Sequence, residues 1–363
     1  MGDASRYHRL QLYLALAGFA LSVVYLAVVL ASGFAADVTL VAGVLVDRWW
    51  VKVVAVAAIL GLGHTALRFP LRIVRGFWLP RRFGLLHQSF GSWVGDGAKT
   101  AALGGLLGLA GILIVYGLLR ATPWWWLMAA VVFFVVGIAL AALFPILIVP
   151  LFYRLTRLDD PALERRLLAL AERAGVPAIG VWVVDASRKS RIANAAVVGL
   201  GRTRRIILFD TLATGFREDE VAAVLAHELA HHVHGDLRRG LLVQGALTLL
   251  TFWLASVLLE LGVGLWDLEG VADPAGVPWL ALVLMGLGAL QLPVANAFSR
   301  RLEREADDFA LALTRDPDAF IGAMERLATL NLAERNPHRL KEILLYSHPA
   351  LDRRIARARG EAA

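Results

Sequence analysis

The sequence predicts a mainly α-helical, polytopic membrane protein that carries a smaller α+β domain outside the bilayer. Three observations lead there. The chain is 58% hydrophobic and 18% charged, with a mean hydropathy of +0.63, far from the make-up of a water-soluble domain. Its apolar residues gather into six runs close to the roughly 20 residues a helix needs to cross a bilayer. One polar stretch, between the fourth run and the fifth, carries alternating helix and strand signals instead.

The runs are Leu10–Ala31, Val51–Phe69, Thr100–Leu119, Trp125–Phe152, Gly240–Leu259 and Val277–Phe298. Val38–Val46 is also apolar but too short to span by itself. It reads as an extension of the second helix or as a segment lying at the interface. The first run is too long for a removed signal peptide and ends without a small-residue cleavage site. Three adjacent tryptophans, Trp124, Trp125 and Trp126, read as an interfacial anchor. His64, alone in the second run, either lines a polar chamber or bonds to a neighbouring helix, because ionisable groups within a bilayer avoid lipid.

Charge between the runs gives orientation, since basic residues in short loops stay on the cytoplasmic side. Arg6 and Arg9 precede the first run, Arg68, Arg72, Arg75, Arg81, Arg82 and Lys99 flank the second connection, and Arg238 and Arg239 precede the fifth run. Glu260, Asp267, Glu269 and Asp273, with no basic residue among them, separate the fifth from the sixth. Both termini and the polar domain are therefore expected in the cytoplasm, in a protein of the cell (inner) membrane. The net charge of +7 needs no nucleic acid to explain it, because anionic lipid head groups on that side suffice. The expected divisions are a four-helix membrane domain over 1–153, a polar domain over 154–239, a membrane hairpin over 240–298, and a return to the polar domain over 299–363.

Within the polar domain, Asp160 as N-cap and Pro161 at the first helical position open a helix through Ala174, closed by Gly175. Val181–Val184, Ala195–Val198 and Arg205–Phe209 are short, β-branched and bounded by Gly, Arg and Ser, so they read as strands. A further helix follows, with Glu218, Asp219 and Glu220 as its acidic first turn and Gly235 at its close.

That last helix contains His227-Glu228-Leu229-Ala230-His231, an HExxH motif. Residues four apart share a helix face, so both imidazoles can ligate one ion while Glu228 stands beside the water bound there. With no cysteine in the chain, a metal site has to be built from His, Asp and Glu. A catalytic zinc takes three protein ligands and keeps one position open. The extended HExxHxxGxxH form does not supply the third, because His234 and Leu237 stand where Gly and His are required. A second helix over Ser299–Asp307 offers Glu303 and, one turn on and on the same face, Asp307. His232 and His234 lie on other faces and read as polar surface.

Taken together, these motifs resemble the type I CAAX prenyl endopeptidase family of integral-membrane zinc proteases, marked by HExxH followed by S-R-x-x-E-x-x-A-D. The resemblance extends over most of the chain. Arg82-Phe83-Gly84-Leu85 with Gln88, Trp93, Asp96 and Lys99 is similar to the family's signature loop. Asn194–Gly199 and Arg205–Leu212 resemble its strand pair, and Ser347–Ile355 its H-P-x-x-x-x-R motif. The four spans ahead of the polar domain separate the chain from HtpX-type relatives, which carry a shorter membrane hairpin there.

The resemblance implies a gluzincin-type domain with one Zn²⁺ per chain, held by His227, His231 and Glu303. It implies Glu228 as general base and Asp307 as the carboxylate orienting a zinc histidine. His348 and Arg354 are expected over the reacting carbonyl, and Asn194 with Ala195 on the strand that holds the substrate backbone. Ile192 departs from the histidine of eukaryotic members, and no role carries over to it. The implied activity, and the leading reading, is hydrolysis of peptide bonds at the membrane's cytoplasmic side by a zinc endopeptidase; CAAX-type processing of C-terminal peptides is one form of it, and the substrate is left open. An HtpX-like quality-control protease and a non-proteolytic transporter or scaffold with a retained protease domain are the competing readings. The intact Glu228 argues against the last.

Overall fold

A computed structural model of the chain describes residues 2–199 and 201–361. Its six long apolar helical runs coincide with the six expected from sequence. Helix α1 (Asp3–Ala31) is followed by the short α2 (Phe34–Leu45) and by α3 (Trp49–Ile73), which continues through a wide π turn into α4 (Leu79–Arg82). Helix α5 (Phe90–Ala121) comes next, then α6 (Trp125–Leu143), joined by a second π turn to α7 (Val149–Phe152). In both π turns the N–H that closes the ring, Leu79 to Val74 O and Val149 to Phe144 O, belongs to the residue just before a proline, Pro80 or Pro150. A proline cannot continue the i→i−4 ladder, and the widened turn takes up the mismatch.

Two expectations about the bundle are corrected. Residues 38–45 of the apolar stretch belong to α2, a separate helix that Val46–Arg48 breaks from α3. It is thus a distinct short segment, not an extension. Of the three tryptophans, Trp125 turns inward and is buried against Phe252, whereas Trp124 stays exposed. His64 takes the second of its two readings, with Nε2 2.9 Å from the Ser22 hydroxyl of α1.

The polar domain has one four-stranded sheet in the order β1-β2-β4-β3. Strand β1 (Leu155–Arg157) precedes α8 (Pro161–Arg173), and β2 (Val181–Val184), β3 (Ala195–Val198) and β4 (Arg205–Phe209) follow. The three longer strands fall where the sequence pattern puts them. β1, three residues pairing antiparallel with β2, escapes that pattern because it is too short to show alternation. β2 and β4 are parallel, β3 and β4 antiparallel, and β3 lies at one edge.

Helix α9 (Asp210–Gly215) leads to α10 (Glu218–Val233), which carries the HExxH motif. Gly235, at φ +67°, makes the sharp turn into α11 (Asp236–Leu265), a conformation that a Cβ disfavours. Helix α12 (Val277–Thr314) is 38 residues long, about 57 Å at 1.5 Å per residue. It begins as a membrane span and ends inside the polar domain without a break. Helices α13 (Pro317–Leu330), α14 (Arg339–Leu345) and α15 (Leu351–Ala358) complete the chain.

Two apolar cores result. One lies among α3, α5, α6, α11 and the first half of α12. The other is formed by α8, the sheet, α10, α13, α15 and Ala310 of α12. Phe320 of α13 is fully buried in the second core. Phe320→Ala is expected to cost about 3–5 kcal/mol, read as a lowered thermal midpoint of the purified protein in detergent.

Candidate metal centre and active site

Helix α10 places the His227 and His231 rings with centroids 5.1 Å apart and nearly perpendicular. Each ring is held from behind. The Nδ1 of His227 is 2.9 Å from Asp307 Oδ1, and the Nδ1 of His231 is 2.9 Å from Asp236 Oδ2. A carboxylate accepts only, so both Nδ1 atoms are the donors and both Nε2 atoms are left to the site interior.

Glu303 of α12 enters that interior. Its Oε2 is 3.2 Å from His227 Nε2, and its Oε1 is 3.8 Å from His231 Nε2. Oε2 also lies 2.7 Å from His348 Nδ1, yet neither neighbour meets it in hydrogen-bonding geometry, and it is a buried oxygen without a donor. A buried unpartnered carboxylate oxygen is costly unless a cation completes it. Ligand atoms about 2.1 Å from a tetrahedral zinc stand about 3.4 Å apart, and the observed 3.2 and 3.8 Å bracket that spacing. The two-nitrogen, one-oxygen donor set therefore fits zinc. His227, His231 and Glu303 form one of two His/acid groups among the described residues whose candidate ligand atoms converge within 4.8 Å. The other, His234, Asp236 and Glu305, already contains a cation. Arg239 donates to Asp236 Oδ1 at 2.9 Å and to Glu305 at 2.6 and 3.3 Å.

Glu228 makes no hydrogen bond or ion pair with another described residue, and burial raises its pKa against the opposing pull of the two histidines. A base in that setting accepts a proton more readily than a surface carboxylate. For His227, burial alone would lower the pKa, but the facing carboxylates of Asp307 and then Glu303 outweigh it and push the ring up to about 9.

The last segment of the chain closes the site. Arg300 of α12 donates to the carbonyls of Glu342, Ile343 and Tyr346, and the buried Glu342 accepts from Ala350 N at 3.0 Å and pairs with Arg353. These contacts pin the loop that presents His348, whose side chain is 58% exposed. Arg354 is half-buried, with Nε and Nη2 on Asp307 at 2.8 and 2.6 Å. A bidentate fork of this kind is strong and directional, and it leaves the two Nη1 hydrogens and the second Nη2 hydrogen for other partners.

Asn194 turns its carbonyl to Phe209 N at 2.9 Å and its side-chain oxygen to Ala195 N at 3.0 Å, and Ala195 is 5% exposed. The structure thus gathers His227, His231, Glu303, Asp307, His348 and Arg354 into one network, with Asn194 and Ala195 on the edge strand. Sequence reasoning missed Asp236, Arg239 and the contact of His232 described below. The available signal was an acid just past the glycine turn, five residues after the second histidine.

A membrane-spanning helical bundle whose outer domain joins an HExxH helix to a second carboxylate-bearing helix defines an integral-membrane zinc metallopeptidase. Residues 157–362 match Peptidase family M48, and residues 2–154 match CAAX prenyl protease N-terminal, five membrane helices. The five helical runs before β1, α2 being the short one, agree with that description. The chain is 28% identical to the uncharacterized metalloprotease YhfN of Bacillus subtilis, across 99% of this chain and 85% of that one. It is also 28% identical to CAAX prenyl protease 1 of Saccharomyces cerevisiae, across 80% and 68%. The crystal structure of S. mikatae Ste24p matches with a TM-score of 0.80 at 25% identity, covering 90% of this chain and 81% of that one. The chain belongs to peptidase family M48.

Two expectations follow from the geometry. Asp236→Asn and Asp307→Asn each replace the charged acceptor that holds a histidine with a weaker neutral amide, and each is expected to weaken zinc binding about 10- to 100-fold in competition with a chromogenic chelator. Because His227 must lose its proton to bind metal and holds it up to about 9, zinc affinity should rise with pH below that point. The expected slope is about tenfold per pH unit for one displaced proton, and the same titration checks it.

Proposed function

We propose that this protein is a zinc endopeptidase that cuts peptides at the cytoplasmic face of the membrane, with His227, His231 and Glu303 as its metal ligands. The observation that carries this reading is the convergence of both Nε2 atoms on the Glu303 carboxylate, His227 on the donorless Oε2 and His231 on Oε1, with the unengaged Glu228 next to His227. Zinc bound there supplies a Lewis acid that acidifies water and polarises the scissile carbonyl. Glu228 takes the proton of the attacking water and returns it to the departing amine. Its burial keeps that proton affinity high enough for both transfers.

His348, reaching over the site from its pinned loop, donates to the carbonyl oxygen as negative charge gathers there. Asp307 fixes the tautomer and tilt of His227. Arg354 neutralises Asp307 and, through its remaining nitrogen, adds positive potential over the reacting centre. The free edge of β3, from Asn194 and Ala195 onward, receives the substrate backbone as an added strand. CAAX-type processing of C-terminal peptides is the favoured duty. It draws support from relatives in Arabidopsis thaliana and Saccharomyces cerevisiae that are named CAAX prenyl protease 1 or its homolog.

Glu228→Gln keeps size and polarity but removes the base. Peptide hydrolysis by the purified protein is expected to fall about 10²- to 10⁴-fold while bound zinc stays at one per chain. Hydrolysis at the parent rate with zinc still bound would falsify the reading.

A further inference from the structure

We infer that His232 sets how many main-chain hydrogen bonds the edge strand offers a substrate, by occupying the carbonyl of Val197. This rests on the reading of β3 as the substrate-binding edge. In an antiparallel pair, alternate residues turn both main-chain groups toward the partner strand and the rest turn theirs away. Phe209 N donates to Asn194 O, which sets the parity. Asn194, Ala196 and Val198 face β4, whereas Ala195 and Val197 face the open edge in the observed register.

Those two residues offer four outward groups. The Ala195 N–H is taken by Asn194 Oδ1, and the Ala195 carbonyl belongs to a residue nearly closed to solvent. The Val197 carbonyl lies 3.0 Å from His232 Nε2, and a carbonyl only accepts, so His232 is the donor. Of the two Val197 groups the N–H is left open, on a half-buried residue, with no partner for it among the described residues.

His232 stands one helical turn beyond Glu228, on the same face of α10. The general base, His232 and the edge strand therefore border a single cleft. A substrate laid along it places a carbonyl on the Val197 N–H, but the Val197 carbonyl is not available to a substrate N–H while His232 holds it. The enzyme is thus indifferent to whether the residue facing that carbonyl has an N–H, and a proline or N-methylated residue is tolerated there.

The test uses the zinc-loaded full chain and a set of peptide substrates N-methylated at one residue at a time. In the parent, methylation opposite the Val197 carbonyl leaves kcat/KM unchanged. His232→Phe and His232→Leu, which lack the donor, free the carbonyl. Each is expected to acquire one new sensitive position, where N-methylation lowers kcat/KM about three- to tenfold, the size of one net hydrogen bond. His232→Gln keeps a donor and is expected to show the parent profile.

Val197→Pro tests the edge itself. It removes only an outward N–H, and an edge strand tolerates proline on that side. If this variant raises KM but the methylation profiles of the parent and both donorless variants are identical, the inference about His232 is overturned and the edge reading stands. If Val197→Pro leaves KM unchanged, the edge reading itself fails, and the inference falls with it.

Discussion

The site depends on one long helix. Two zinc ligands of the proposed set sit on α10, and the third belongs to α12, on the far side of two membrane-spanning segments. A flexible connection would have to order many residues at about 1–2 kcal/mol each to bring Glu303 back. Helix α12 avoids that cost by being continuous from the bundle to the site, so that packing it against α3 and α11 in the bundle also aims its second half. Buried Ala306 and Ala310 lie on the stretch of α12 that meets α10, where small side chains permit close approach, and Glu303 and Asp307 arrive together one turn apart. The membrane bundle is therefore part of the catalytic machinery in a mechanical sense.

Much of this arrangement was legible in the sequence wherever the signal is local. The HExxH helix, the helix after Asp160 and the three longer strands follow from caps, glycines and β-branched runs, and the structure puts them at those residues. The third ligand was of another kind. Glu303 lies in an Arg/Glu-rich stretch in which Glu305 is an equal candidate by composition. The motif resemblance selected Glu303, and the structure shows Glu305 turned to Arg239 and Arg301.

What the sequence hid were contacts made across a turn or between elements. Asp236 reaches His231 only because Gly235 adopts a left-handed conformation between them. His232 meets Val197 only because the sheet edge packs against α10. Neither contact has a periodicity that a linear reading can detect, and β1 is too short to have one. The separation of α2 from α3 likewise rests on the backbone at Val46–Arg48, where the charged pair Asp47-Arg48 marks a gap in the apolar pattern but not whether the helix is broken.

The two histidines share a construction that bears on the charge a metal in the proposed site would meet. Asp307 backs His227 and is matched by Arg354, and Asp236 backs His231 and is matched by Arg239. Glu305 is matched by Arg301 as well. Set aside that last pair, and Asp307, Asp236, Glu303 and Glu228 face two guanidiniums, which leaves a formal charge of minus two around the point where the Nε2 atoms meet. Burial makes such an excess costly. A proton on His227, which Asp307 and Glu303 hold there up to about 9 against the effect of burial, relieves part of it, but one proton supplies only half the charge. A dication supplies all of it and at the same time satisfies the donorless oxygen of Glu303. The arginines thus tune the site by cancelling the charge of the orienting carboxylates, leaving Glu303 and Glu228 as the two acids whose charge the metal has to meet.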